Sequence, residues 1–144
     1  MSPATGARRR AREVAFRVAY QADIAGETYA QAWTLRREHE DRLSADQIQL
    51  IDDVVALLES GAAGVDEALQ GALDDRWTVA RLAATDRAVL RVAVAELLAR
   101  PGSPARVVLD EAIEIARTFG SDDSGAFVNG VLDRAARRLR PAEF

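Results

Sequence analysis

The sequence predicts an all-α fold, and three observations carry that reading. Apolar residues recur at helical spacing along nearly the whole chain, and no segment shows the alternate-residue pattern of a strand between turn signals. Glycines occur singly, as helix punctuation. At 144 residues and 49% hydrophobic content, the chain can bury a sizeable core within one domain.

The elements follow in order. A first helix is expected over about Arg8–Ala25, with Ala11, Val14, Ala15, Val18, Ala22 and Ala25 on one face and Gly26 ending it. "TYAQAWTLRREHE", from Thr28, gives a short second helix. Ser44, three residues before Gln47, forms a capping box that opens a third, whose stripe Ile48, Ile51, Val55, Leu58 stops at Gly61. A short fourth covers about Val65–Leu73. "TVARLAATDRAVLRVAVAELLAR" reads as a long helix interrupted near Thr85, and it has to stop before "PGSP" because a residue preceding proline is driven out of the α region. Two last helices, about Val107–Phe119 and Ser124–Leu139, flank the polar loop "GSDDSG". The expectation is about seven helices in a single domain, 1–144, with a flexible N-terminal end over about 1–7.

Catalysis finds little to work with. The sequence has no Cys, which removes disulfides, thiolate metal sites and a cysteine nucleophile. Its one histidine, His39, sits in "RREHEDR", a solvated loop or helix end without a metal partner. Asp110, Glu111 and Glu114 resemble an acid cluster, but acids in an initial helical turn simply complement the dipole. Asp52 and Asp53 fall on the wet face of the third helix. No glycine-rich loop of the phosphate-cradling kind is present. No enzyme, cofactor or metal is therefore expected. The opening "MSPATGARRR" lacks the apolar stretch of a signal peptide, and no run approaches the ~18–20 apolar residues of a membrane span. A cytoplasmic protein with no membrane partner is the expectation.

Charge is more informative. Against 23 carboxylates stand 19 cationic side chains, all of them Arg. Residues 1–20 hold five Arg and one acid, a net of +4, while residues 21–144 carry −8. Such segregation is the signature of a polyanion-binding arm. Arg134, Arg137, Arg138 and Arg140 close the last helix, where the dipole favours cations and no ligand is required. Arg8, Arg9, Arg10 and Arg12 would instead crowd the first turns of the first helix, where the dipole disfavours each by roughly 0.3–1 kcal/mol. An arriving phosphate would satisfy both the arginines and the free N–H groups. Arg9, Arg12, Phe16 and Tyr20 form a second stripe beside the apolar one, and its aromatics could stack bases, meet a protein or enter the core. The interior helices are balanced or acidic, which argues against reading a DNA groove; single-stranded RNA suits a short Arg arm better.

"RRRARE", "RWTVARLAATDRAVLRVAVAELL" and "VVLDEAIEIARTFGSDDSGAFVNGVLDRAA" resemble, in that order, the hallmark segments of the NusB family of bacterial transcription antitermination factors. The likeness is close at 8–13 and 77–136 and weak over 26–76. Ala95 departs from it, standing where an aromatic is common before "EL", and the tail ends in Arg where Lys is frequent. The resemblance implies two three-helix bundles packed roughly perpendicular. It also implies binding of the single-stranded boxA element of ribosomal RNA transcripts together with the small-subunit ribosomal protein NusE, and delivery to an RNA polymerase antitermination complex. By position it places Arg8, Arg9, Arg10 and Arg12 in the RNA-binding motif, Phe119, Asp123 and Phe127 near the RNA path, and Tyr20 and Asp86 against NusE. A homodimer that hides the RNA surface is compatible with it. The same fold also serves as the N-terminal domain of ribosomal RNA cytosine methyltransferases. Those enzymes need a following domain with a cofactor loop and a catalytic Cys, whereas this sequence runs to Phe144 with no Cys.

Overall fold

The computed structural model of the chain describes residues 3–144, with side chains from residue 6 onward. It contains six α-helices: α1 (Pro3–Ala25), α2 (Tyr29–Arg37), α3 (Ala45–Ala72), α4 (Ala84–Ala99), α5 (Ala105–Phe119) and α6 (Ser124–Leu139). Short 3₁₀ turns lie at Val79–Arg81 and Pro141–Glu143. Among the described residues there is no strand, so the all-α class holds with six helices where seven were expected. The flexible end expected over about 1–7 falls partly outside the described residues, and α1 already runs from Pro3.

Local chemistry sets most of the boundaries. Gly26 adopts the left-handed φ of 69° that ends α1, and Glu27 N–H closes the turn on Ala22 O at 3.0 Å, a Schellman arrangement. Capping boxes open both α2, through Thr28 and Gln31, and α3, through Ser44 and Gln47. The expected stop at Gly61 is a kink instead. Gly61 leaves helical geometry (φ −118°, ψ 22°) but not for the left-handed region, and the buried face resumes with Val65, Leu69 and Ala72. The third and fourth expected helices are thus one bent helix. The interruption expected near Thr85 falls just before α4, where the Arg87 guanidinium donates to the carbonyls of Val79, Ala80 and Leu82. One cation thereby ties the 3₁₀ turn to the start of α4.

Two groups of three helices share one core. Helices α1, α2 and α3 pack on one another, as do α4, α5 and α6, and α4 lies between the groups, touching α1, α3, α5 and α6. Consistent with that position, α4 is buried nearly all round, from Ala88 to Leu97 with only Arg91 reaching outward.

The C-terminal arginines do more than offset their own helix dipole. Arg134 Nε donates to Ala72 O at 2.7 Å and Arg138 to Gly71 O, so α6 satisfies the last carbonyls of α3. Arg140 donates to Leu97 O (2.8 Å), Arg100 O (3.0 Å) and Ser103 O (2.9 Å), clasping the α4–α5 turn. Glu143 accepts from Ala105 N–H at 2.8 Å. That bond, followed by Arg140, holds the Glu143 carboxyl below its ordinary range. Its contribution is complete above the ordinary carboxylate pKa and is lost as pH falls through the lowered value. Replacing Arg140 with glutamine should cost about 2–3 kcal/mol, since hydrogen bonds from a charged donor are the strong ones and their loss leaves several carbonyls unpaired. Urea denaturation at neutral pH measures this.

Candidate nucleic-acid interface

Because α1 begins at Pro3, Arg8 to Arg12 lie beyond its first turn, where the dipole conflict inferred from the sequence has largely faded. Their surroundings therefore decide what each can do. Arg8 is exposed and lines a cleft of about 560 Å³ with Arg12, Arg100, Pro104 and Glu111. Arg9 is half-exposed and ion-paired with Glu111. Arg10 donates to Asp41 O at 2.5 Å and lies 3.5 Å from Glu40.

Arg12 is different. It is only 4% exposed, its Nε and Nη2 meet the Glu96 carboxylate at 2.8 and 2.7 Å, and its Nη1 reaches Glu111 at 3.4 Å. With its fork spent on two buried acids, Arg12 is a bolt between α1, α4 and α5 and is not available to a phosphate. The acid cluster needs the matching correction: α5 has no acid in its first turn. Glu111 is the anchor for Arg9 and Arg12, and Glu114 pairs with Arg117. Asp52 and Asp53 are likewise engaged, accepting from Trp33 Nε1 and Arg100 Nη1, each at 2.7 Å.

Two arginine contacts, one to an acid and one to an aromatic ring, reveal how α1 and α5 lie. Arg9 meets Glu111, and one register further along Arg17 sits over the Phe119 ring at 4.9 Å. The helices therefore run side by side in the same direction. The eight residues from Arg9 to Arg17 span about 12 Å at 1.5 Å per residue. Arg17 is exposed and forms no ion pair among the described residues. It belongs to this surface although the sequence motif stops at Arg12, and the signal for it was its place one heptad beyond Arg10 on the same helix face.

Phe119 is half-buried between Arg17 and Phe16, whose ring lies 5.1 Å away. Phe16 is buried and touches Tyr20 at 6.2 Å on its other side. Beyond Phe119 the chain turns at Gly120, where a Cβ would lie 2.4 Å from Ser124 Oγ and 2.8 Å from Ala116 O. Only glycine fits that approach. Within the loop Ser124 Oγ accepts from Ser121 N–H at 2.9 Å, and no side chain caps the start of α6. Asp123 occupies the N-cap position of α6 with its side chain outside the cap and exposed. Phe127, half-buried one turn on, faces Trp77 at 6.4 Å.

Tyr20 and Asp86 lie along the α1–α4 edge. Tyr20 is 38% exposed, one turn before Asp23, which pairs with Arg87 at 2.6 Å. Asp86 precedes that arginine, and its Oδ1 is buried without a hydrogen-bond partner. Among the described residues no group could hold a metal ion, and no helix is long and apolar enough to cross a membrane.

The fold and sequence have clear relatives. A sequence model described as the NusB family matches residues 9–137. The transcription antitermination protein NusB of Anaeromyxobacter dehalogenans (strain 2CP-1) is 41% identical over 138 residues, which cover 96% of both chains. That of Sorangium cellulosum is 42% identical over 139 residues, covering 93% of this chain and 94% of the other. Among solved structures, T. maritima NusB matches with a TM-score of 0.84 at 33% identity over 94% of each chain. A structure of antitermination factors NusB and NusE in complex with dsRNA matches in fold, with a TM-score of 0.82 at 24% identity over 92% of this chain and 97% of that one.

Proposed function

This chain belongs to the NusB family, and from that premise we propose that it binds the single-stranded boxA element of ribosomal RNA transcripts jointly with the small-subunit ribosomal protein NusE. It acts by binding, without catalysis, as a cytoplasmic adaptor that brings RNA and ribosomal protein to the RNA polymerase antitermination complex, and residues 1–144 work as one domain. The observation that carries the reading is the α1–α5 surface. Arg8, Arg9, Arg10 and Arg17 edge it, and it leads through Phe119 to the loop at Asp123 and to Phe127. Arginine captures phosphate, while half-buried rings offer faces for unstacked bases. Tyr20 and Asp86 supply the protein-docking edge. The aromatic run Tyr20–Phe16–Phe119 joins the two faces, which suits joint binding of RNA and protein.

The test is a titration with boxA-type RNA, single-stranded and as a duplex, with and without the ribosomal protein. Tighter binding of the single strand, and a further gain when the protein is added, are expected. Preference for the duplex, or no gain with the protein, would overturn the reading. On the docking edge, Asp86→Arg should weaken the ribosomal protein by about tenfold or more, through like-charge contact and lost pairing, while isolated RNA binds normally. Calorimetric titration of each ligand reads both; equal loss of the two would mean that the edge and the RNA face are not separate.

A further inference from the structure

The loop between α3 and α4 carries an aromatic side chain that the function above does not use. Trp77 is 42% exposed, and the backbone beneath it is firmly tied. Trp77 N–H donates to Asp74 O at 2.9 Å, and Trp77 O accepts from Gln70 Nε2 at 2.7 Å. The same Gln70 accepts from Val79 N–H at 3.1 Å, and Asp74 Oδ1 accepts from Arg76 N–H at 3.0 Å. An indole left in water forgoes the burial that is its main contribution to a fold. Here a rigid turn displays it instead of tucking it in.

Its neighbours are selective. The Phe127 ring lies 6.4 Å from it, and the Arg81 guanidinium sits over it at 5.9 Å. Phe127 and Arg134 are seven residues apart on α6 and so share one face, and Arg134 reaches back to Ala72 O at the end of α3. Arg76 and Arg81 share the loop with the indole, Arg81 over its ring and Arg76 paired with Asp74, while Arg134 and Arg138 bind the last carbonyls of α3, just before that loop. The patch combines aromatic faces with excess positive charge and begins at Phe127, where the proposed RNA path ends. That is the composition of a stacking platform for single-stranded nucleic acid.

We propose that Trp77, with Arg81 and Phe127, forms a second RNA subsite, which stacks a base of the single strand lying beyond the boxA-binding surface. The inference rests on the RNA-binding reading and extends its footprint from α1 and α5 across α6 to the α3–α4 loop. It identifies the ligand as flanking single-stranded RNA. The stacking is sequence-tolerant, because every base offers a π-face.

The experiment uses the full chain, a short boxA-type RNA, and the same RNA lengthened by a few nucleotides at one end or the other. Trp77→Ala should bind the short RNA as the wild type does and should lose about 5- to 30-fold in affinity for one of the lengthened RNAs, with Trp77→Phe retaining most of it. Acrylamide quenching gives an independent readout, since Trp33 is buried and Trp77 exposed: the lengthened RNA should shield the quenchable fluorescence, and the short RNA should not. A thermal melt shows whether the variant is folded. Unchanged affinity of Trp77→Ala for both lengthened RNAs would overturn this subsite and leave the boxA reading standing. A loss confined to the ribosomal protein would overturn it too, by assigning Trp77 to a protein contact. A wild type that binds none of the RNAs would overturn both.

Discussion

Arg12→Gln should destabilise the protein by about 3–5 kcal/mol, the cost of removing one partner from a buried ion pair and leaving its carboxylates uncompensated. Arg12 and Glu96 are 4% and 1% exposed, their fork-to-carboxylate bonds are 2.8 and 2.7 Å long, and Glu111 leans on the same guanidinium. Glutamine can replace neither the charge nor the paired donors. For a domain of ordinary stability, about 5–15 kcal/mol, that loss is a large share of the whole. Converting Arg12 and Glu96 together to Met should recover much of it, because a buried pair exchanged for apolar side chains of similar volume is often close to neutral. Urea denaturation of the three proteins gives the stabilities, and RNA titration of the folded fraction gives the second readout. A stable Arg12→Gln protein that had lost RNA binding would return Arg12 to the RNA surface.

Arg12 also shows where reading the sequence ran out. Its partners lie 84 and 99 residues away, so helical spacing could put Arg9, Arg12, Phe16 and Tyr20 on one stripe without revealing that its middle is buried. The available hint was Glu96, an acid inside the apolar run "VAVAELLA". A carboxylate there needs a buried cation. The start of α1 at Pro3 was equally hidden, since "PATG" offers no apolar periodicity, although proline is at home at the first helical position. At Gly61 the residue was located correctly and its effect was not, because a glycine can bend a helix as readily as end one. Where local chemistry alone decides, the reading was close: α6 spans Ser124–Leu139 as expected, Ser44 caps α3 and Gly26 ends α1. The exposed side chains of the candidate surface were largely legible, since charge segregation is a one-dimensional property. The pairing that decides which arginines are free is a property of the packed helices.

That sorting makes the salt dependence of RNA binding a sharp test of the interface. Arg8, Arg9, Arg10 and Arg17 are the α1 arginines that reach solvent. If each neutralises one phosphate of a single strand, log K should fall with log salt at a slope of about −3, from roughly 0.7 per contact. Between about 50 and 200 mM salt that is a loss of about 50-fold in affinity. Converting all four to Gln should flatten the slope nearly to zero, and each single change should reduce it by about 0.7. Folding should be little affected at Arg8, Arg10 and Arg17, because exposed substitutions and surface ion pairs of the Arg10–Glu40 kind are each worth about 1 kcal/mol or less; Arg9→Gln should cost more than the other three, since its partner Glu111 is buried, but that carboxylate keeps Arg12. Arg12→Gln belongs to the opposite class, with a large loss of stability and an unchanged slope for the folded fraction. Filter binding across a salt series separates the two. A fourfold variant that kept the wild-type slope would show that RNA does not lie along α1, and a flattened slope in Arg17→Gln alone would place the strand over Phe119 in preference to the N-terminal arginines.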